Sequence, residues 1–217
     1  MNFKSAFLYM GILSFFGCSS QTELTKTEQE LISKLDFDKE LVLELKKETK
    51  SKISQLPAID PETSEELDKE YFDGIFSETT ENVAINYVKK AKSKFKEKGY
   101  LVFYIEGQNG KKNIGLMKGN DELDILRYRK TDGINYDLES KDVLKKISEW
   151  KSKFGLIIIG CSLDYVHIEF DKLPQNMTEF AKEVYEFCPD SVDQGVGDLK
   201  SLEEYIKEEK GIWLWWD

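Results

Sequence analysis

Leu156-Ile157-Ile158-Ile159-Gly160-Cys161, followed two residues later by Asp164-Tyr165-Val166-His167-Ile168-Glu169-Phe170, decides how the rest of the chain is read. The first run is apolar throughout, as a strand covered on both faces must be. The second alternates Tyr165, His167 and Glu169 with Val166, Ile168 and Phe170, which marks its hairpin partner. Upstream, Ser140 is placed to cap a helix with Val143, Ile147, Trp150 and Phe154 on one face, and Gly155 ends it. Downstream, Asn176 with Glu179 caps a helix carrying Met177, Phe180, Ala181, Val184 and Cys188. A loop with Pro189, Gly195 and Gly197 leads to Asp198, which caps a last helix (Leu199, Leu202, Ile206). Ile212 to Trp216 then forms a final strand.

Further upstream, Tyr100 to Ile105 and Asn113 to Lys118 read as strands joined by a turn at Gly107 to Gly110. Asp121 to Arg129 reads as a helix, followed by a turn at Thr131-Asp132-Gly133. From Asn113 the order is strand, helices, strand, strand, helices, strand. The expected fold class is therefore α+β, a ferredoxin-like βαββαβ sheet with an extra leading strand, preceded by N-terminal helices.

The N-terminal part is of different character. A capping box at Thr27-Glu28-Gln29-Glu30 is expected to open one helix, and a second covers Lys39 to Lys50. Asp60 to Glu81 holds nine acidic residues against Lys69 alone, so it reads as a linker or surface excursion with a turn or two of docked helix. Thr80 to Lys98 is an amphipathic helix with Ala84, Tyr87, Val88, Ala91 and Phe95 on its apolar stripe. Its six lysines read as a solvated face, for which the acidic segment before it offers neutralising charge.

The whole chain has 217 residues, 41 acidic against 31 basic side chains and a net charge of −10. With 40% hydrophobic residues it can bury a core, which excludes a disordered chain, and its acidity argues against nucleic acid as a partner. Near the start, Lys4 precedes an apolar run from Ala6 to Phe16, too short to span a bilayer but suited to a signal peptide. Phe15-Phe16-Gly17-Cys18 resembles a bacterial lipobox, and Ser19-Ser20-Gln21-Thr22 resembles a lipoprotein tether. That resemblance implies a lipid on the Cys18 sulfur, a membrane as partner through that lipid, and a cell-envelope protein facing the periplasm. The expected organisation is a leader over 1–17, a tether over 18–26, N-terminal helices with an acidic linker over 27–98, and an α+β domain over 99–217. For Cys161 and Cys188, free buried thiols are expected, with a disulfide as the alternative.

Asp132-Gly133-Ile134-Asn135-Tyr136-Asp137, Gly160-Cys161-Ser162-Leu163-Asp164, Leu173-Pro174, Phe187-Cys188-Pro189-Asp190, Gln194-Gly195 and the terminal Leu214-Trp215-Trp216-Asp217 form a set of landmarks. Together they resemble the bacterial family DUF4253, a domain of unknown function, over roughly Tyr100 to Asp217. Cys161 departs from the Ala expected there. The resemblance implies a domain boundary and no activity.

No nucleophile elbow, P-loop, zinc-protease or CxxC motif is present, and His167 is the only histidine, so neither a cofactor nor a metal is expected. Asn135, Asp137 and Glu139 alternate as in a calcium loop. However, Asp137 stands where an EF-hand needs Gly, and Val143 where it needs Glu. The candidate ligand-binding residues are Tyr136, Asp137, Asp190, Gln194, Trp216 and Asp217, expected to converge at one end of the sheet. Indoles beside carboxylates suit a cationic, sugar or peptide ligand. The leading expectation is a non-catalytic binding or interaction module with an unidentified protein, peptide or glycan ligand. The alternative is an envelope hydrolase using a carboxylate pair among Asp137, Asp190 and Asp217. A third is a docking patch formed by Tyr71, Phe72 and Phe76.

Overall fold

The computed structural model describes residues 22–217. The expected leader over 1–17 and Cys18, the expected point of lipid attachment, lie outside the described residues. Helix α1 covers Lys26–Lys34 and α2 covers Lys39–Thr49. The capping box lies two residues earlier than expected: Thr25 is the N-cap and Glu28 its reciprocal partner. The reason is that Glu28 is buried and points inward, where it also accepts from Lys46 Nζ at 2.7 Å and from the Ile53 N–H at 2.7 Å. Strands β1 (Ile53–Ile59) and β2 (Glu66–Thr79) follow, then α3 (Glu81–Glu97).

The acidic stretch is therefore a strand, where docked helix was expected. Its C-terminal half, from Gly74, pairs with β4 (Lys112–Lys118), while its N-terminal half carries the carboxylates outward as one arm of a hairpin with β1. That hairpin extends past the end of β4 and folds over α4 (Leu123–Arg129): Tyr128 donates to Pro57 O, and Arg129 donates to Ser64 O. Phe72 packs on Tyr128 with ring centroids 4.5 Å apart, and Phe76 also packs on the core. Of the three residues expected to form a docking patch, Tyr71 alone is exposed.

The remaining elements are β3 (Tyr100–Glu106), α5 (Ser140–Phe154), β5 (Leu156–Cys161), β6 (Tyr165–Phe170), α6 (Met177–Phe187), α7 (Leu199–Glu209) and β7 (Gly211–Trp215). The α5 N-cap is Glu139, one residue before the expected Ser140, with Asp142 as its reciprocal partner. Asn176 and Asp198 cap α6 and α7 as expected.

The mixed α+β fold is built on one seven-stranded sheet in the order β1-β2-β4-β3-β5-β6-β7. The ferredoxin-like arrangement is not the one adopted. In a split βαβ pair the helix-linked strands run parallel. Here β4 and β5 run in opposite directions with β3 between them, and β6 and β7 are antiparallel neighbours. The leading strand causes this. β3 is buried from Tyr100 to Ile105, so it takes the centre of the sheet, and it forms the parallel pair with β5. Strands on both sides of the expected boundary at 98/99 share this sheet.

Each face of the sheet is covered. α1, α2 and α3 pack over Val102, Tyr104, Ile114, Leu116 and Ile159, and α4 to α7 pack over Phe103, Ile158, Val166, Ile168 and Leu214. The α3 lysines lie among carboxylates from elsewhere in the chain, not from the acidic strand. Lys94 pairs with Glu44, Lys98 with Asp38, Lys96 with Glu122, and Lys89 and Lys92 with Glu169.

Candidate functional site

Pro189 cannot continue α6, and the chain turns through a π-helical turn, Ser191–Val196, entered by Asp190. The Asp190 side chain is buried and accepts three hydrogen bonds. Tyr136 OH donates to Oδ1 at 2.6 Å and Gln194 Nε2 to the same oxygen at 2.9 Å, while the Asp217 N–H donates to Oδ2 at 2.9 Å. Burial pushes this carboxyl up, but the donors from Tyr136, Asp217 and Gln194 together outweigh it and hold it below the ordinary aspartate value. The same bond, with smaller help from desolvation, pushes the Tyr136 hydroxyl up to about 12. The knot ties the turn at 134–136, the turn after α6 and the C-terminal residue together.

Tyr136, Asp190, Gln194 and Asp217 thus meet, with Asp217 contributing its backbone. Two expected members behave differently. Asp137 ends the 3-10 turn Ile134–Tyr136 in a left-handed conformation (φ 57°) and is exposed, outside the knot. Trp216 is a core side chain at 2% exposure: Nε1 donates to Phe187 O at 3.1 Å, and its ring packs against Phe187 and Gly133. A Cβ on Gly133 would stand 2.8 Å from Trp216 Cγ, so glycine is required there. The physical reason is strand alternation, which turns Ile212, Leu214 and Trp216 toward α4 to α7 and leaves Trp213 and Trp215 on the other side.

Trp213 was missed altogether, and Trp215 was expected at this end of the sheet but not named among the candidate residues, although the Ile-Trp-Leu-Trp-Trp alternation over 212–216 carried the signal. Trp213 is 37% exposed and stacks on His167 (centroids 6.4 Å apart, 22° between planes). Trp215 lies 6.0 Å from it and reaches over Gly195, where a Cβ would stand 2.7 Å from the indole edge. With Ser191, Val196, Leu202 and Tyr205 they line a cavity of about 180 Å³ at the β7 edge of the sheet, beside the Asp190 turn.

A second cavity, of about 390 Å³, opens where the β1–β2 hairpin tip meets the end of α4. It is lined by Pro61, Glu62 and Ser64 from the hairpin and by Arg127, Lys130 and Asp132 below it. Burial raises the Asp132 carboxyl above its ordinary value, against the hydrogen bonds it receives and against Arg129. In the sequence this residue stands in a turn and opens the first of the family landmarks, but it is not among the candidate site residues.

The remaining reactive side chains are enclosed. Cys161 and Cys188 are free and buried, and burial pushes their thiols up to about 12 and about 11. His167 Nδ1 lies 2.8 Å from Tyr104 OH, and burial, assisted by Lys89, lowers the imidazole to about 4. Among the described residues no cluster of three or more His, Cys, Asp or Glu side chains is placed to hold a metal ion.

Neither a curated protein nor a solved structure matches the chain. The family model for DUF4253, a domain of unknown function, matches residues 113–217. That match starts inside β4 and excludes β3, the strand through which β4 joins β5. The part of this chain that matches the DUF4253 family runs from the second half of the β3–β4 hairpin to the terminal Leu-Trp-Trp-Asp.

Proposed function

We propose that this chain is a lipid-anchored binding module of the bacterial cell envelope, held to a membrane through Cys18 and facing the periplasm, with its ligand site beside the Asp190 knot. The observation that carries the binding reading is the state of Asp190. Three donors hold its carboxylate and favour the ionised form, so it serves as a structural anchor and has no proton to give as a general acid at neutral pH. The anchoring part rests on the short apolar leader and Cys18. No helix among the described residues is long and apolar enough to cross a membrane.

Two measurements test this. Mass spectrometry of the N-terminus of protein expressed in bacteria is expected to find a diacylglyceryl cysteine at Cys18; cleavage elsewhere or an unmodified thiol refutes the anchor. Asp190→Asn is expected to lower the thermal midpoint, with no glycan- or peptide-cleaving activity lost. An activity present in the wild type and abolished in a stably folded Asp190→Asn protein refutes the binding reading.

A second reading has its own support in Asp132. A carboxyl raised by burial at a cavity wall is what a general acid requires. In this reading the envelope hydrolase acts on a glycan or peptide through Asp132 in place of Asp190. Loss of turnover in Asp132→Asn with an unchanged thermal midpoint would establish it.

A further inference from the structure

We propose that the cleft walled by Trp213, Trp215 and Tyr205 binds a single saccharide ring, an assignment that rests on the binding-module reading and names the ligand class of its site. Three observations point the same way. The first is size. At about 180 Å³ the cleft is smaller than the roughly 300 Å³ at which sites for drug-sized ligands begin, so it admits one ring and not an extended chain.

The second is the shape and chemistry of the walls. The two indoles stand 6.0 Å apart and tilted by 61°, so one can lie under a ring while the other meets its edge. A pyranose has an apolar face of axial C–H bonds, which suits the electron-rich face of an indole, and a rim of hydroxyls. The third is the unused hydrogen-bonding capacity. Among the described residues nothing bonds to Trp213 Nε1, Trp215 Nε1 or the Tyr205 hydroxyl, whereas Trp216 Nε1 and Trp150 Nε1 both have partners. Donors of this kind beside an apolar floor match a sugar's hydroxyls better than a hydrocarbon or a flat aromatic ring. A cationic ligand is less well served. Glu209, the carboxylate that acts on Tyr205, is itself engaged with Lys89 Nζ at 3.7 Å.

The cleft is also braced from behind. Trp213 rests on His167, Trp215 rests on the Gly195 backbone, and its carbonyl accepts from Cys188 Sγ at 3.0 Å. The rings are therefore held in place before a ligand arrives, which lowers the ordering cost of binding.

Saturation-transfer NMR on the full chain in detergent, with N-acetylglucosamine and glucose as probes, tests the assignment. Indole and a short aromatic peptide serve as comparison probes. The expected result is saturable binding of at least one sugar with Kd on the order of millimolar, as befits one ring. The strongest transfer should go to the protons of the ring's apolar face. Trp213→Ala is expected to weaken binding at least tenfold, and Tyr205→Phe severalfold, each with a wild-type thermal midpoint. Should Trp215→Ala fail to fold, these two variants still decide the matter. Binding of indole or the peptide without either sugar overturns the saccharide assignment and leaves the binding module standing. Sugar binding unaltered in both variants places the ligand elsewhere and overturns it too. No binding by any probe, together with an activity lost in folded Asp190→Asn, overturns the binding-module reading itself.

Discussion

Two buried carboxylates organise opposite ends of this protein, and they are neutralised in different ways. In the N-terminal corner, Glu28 is 1% exposed and faces a full cation, Lys46, which is 2.7 Å away and itself buried. In the C-terminal knot, Asp190 is 2% exposed, and its partners among the described residues are a phenol, a side-chain amide and a backbone N–H, with no cation. Burial raises both carboxyls, and in both the hydrogen bonds prevail and lower the pKa. The difference lies in what remains when the acid is removed. Without Glu28 a buried ammonium is stranded; without Asp190 only neutral donors lose their partner. Ion pairing therefore locks the corner outside the DUF4253 segment, and dipoles lock the corner inside it.

The comparison breaks most severely if the two ends are separated. Residues 113–217 expressed alone lack β3, so β4 has no partner strand leading to β5, and the apolar Ile158 and Val166 face loses Phe103. This fragment is expected to show no cooperative unfolding transition by circular dichroism. A folded fragment would show that the C-terminal end is independent of the sheet's centre. Next in size, Glu28→Ala is expected to cost about 3–5 kcal/mol in urea unfolding, the range for stranding one partner of a buried pair. Glu28→Gln combined with Lys46→Met should recover part of that loss.

Asp190→Ala is expected to cost less, about 3 kcal/mol, because the donors it releases are uncharged. Equal losses at the two sites would erase the distinction. Tyr136→Phe should lower the thermal midpoint by less than Asp190→Ala, since it removes one of the three donors.

The last comparison is the response to pH. His167 titrates near 4 in the folded chain against an ordinary 6.5, so between those values the unfolded chain binds more protons and stability falls as the pH drops. Glu28 and Asp190 extend the fall further, since their folded values lie below the ordinary 4.5 and 3.8. A urea-midpoint series from pH 7 to 3 is expected to show this slope, and His167→Gln should flatten its upper part only.

Much of the local structure was legible before any coordinates. The stripes of α3 and α5, the caps at Asn176 and Asp198 and the five central and C-terminal strands follow from side-chain periodicity and from where backbone donors need a partner. β1 and β2 were not legible. Glu66 to Asp73 is charged because that half of the hairpin extends past the end of β4 with only β1 beside it, so no apolar alternation marks it. The convergence of Tyr136, Gln194 and Asp217 on Asp190 was expected from a ferredoxin-like sheet that the chain does not form, and the expected role of Trp216 did not survive. The indole that looked like a ligand platform is a core residue, and its neighbours Trp213 and Trp215 hold the open cleft.

By itself, the sequence determined the helices and the strands from β3 to β7, that the chain is acidic, and that its C-terminal landmarks go together. These are properties of neighbouring residues, written in local spacing. The tertiary structure alone decided that β3 sits at the centre, that the acidic hairpin covers α4, and which side of β7 faces solvent. Strand pairing is made by backbone groups that are the same in every residue, so the order of strands is chosen by how much apolar surface the whole sheet can cover, a quantity that no single stretch contains.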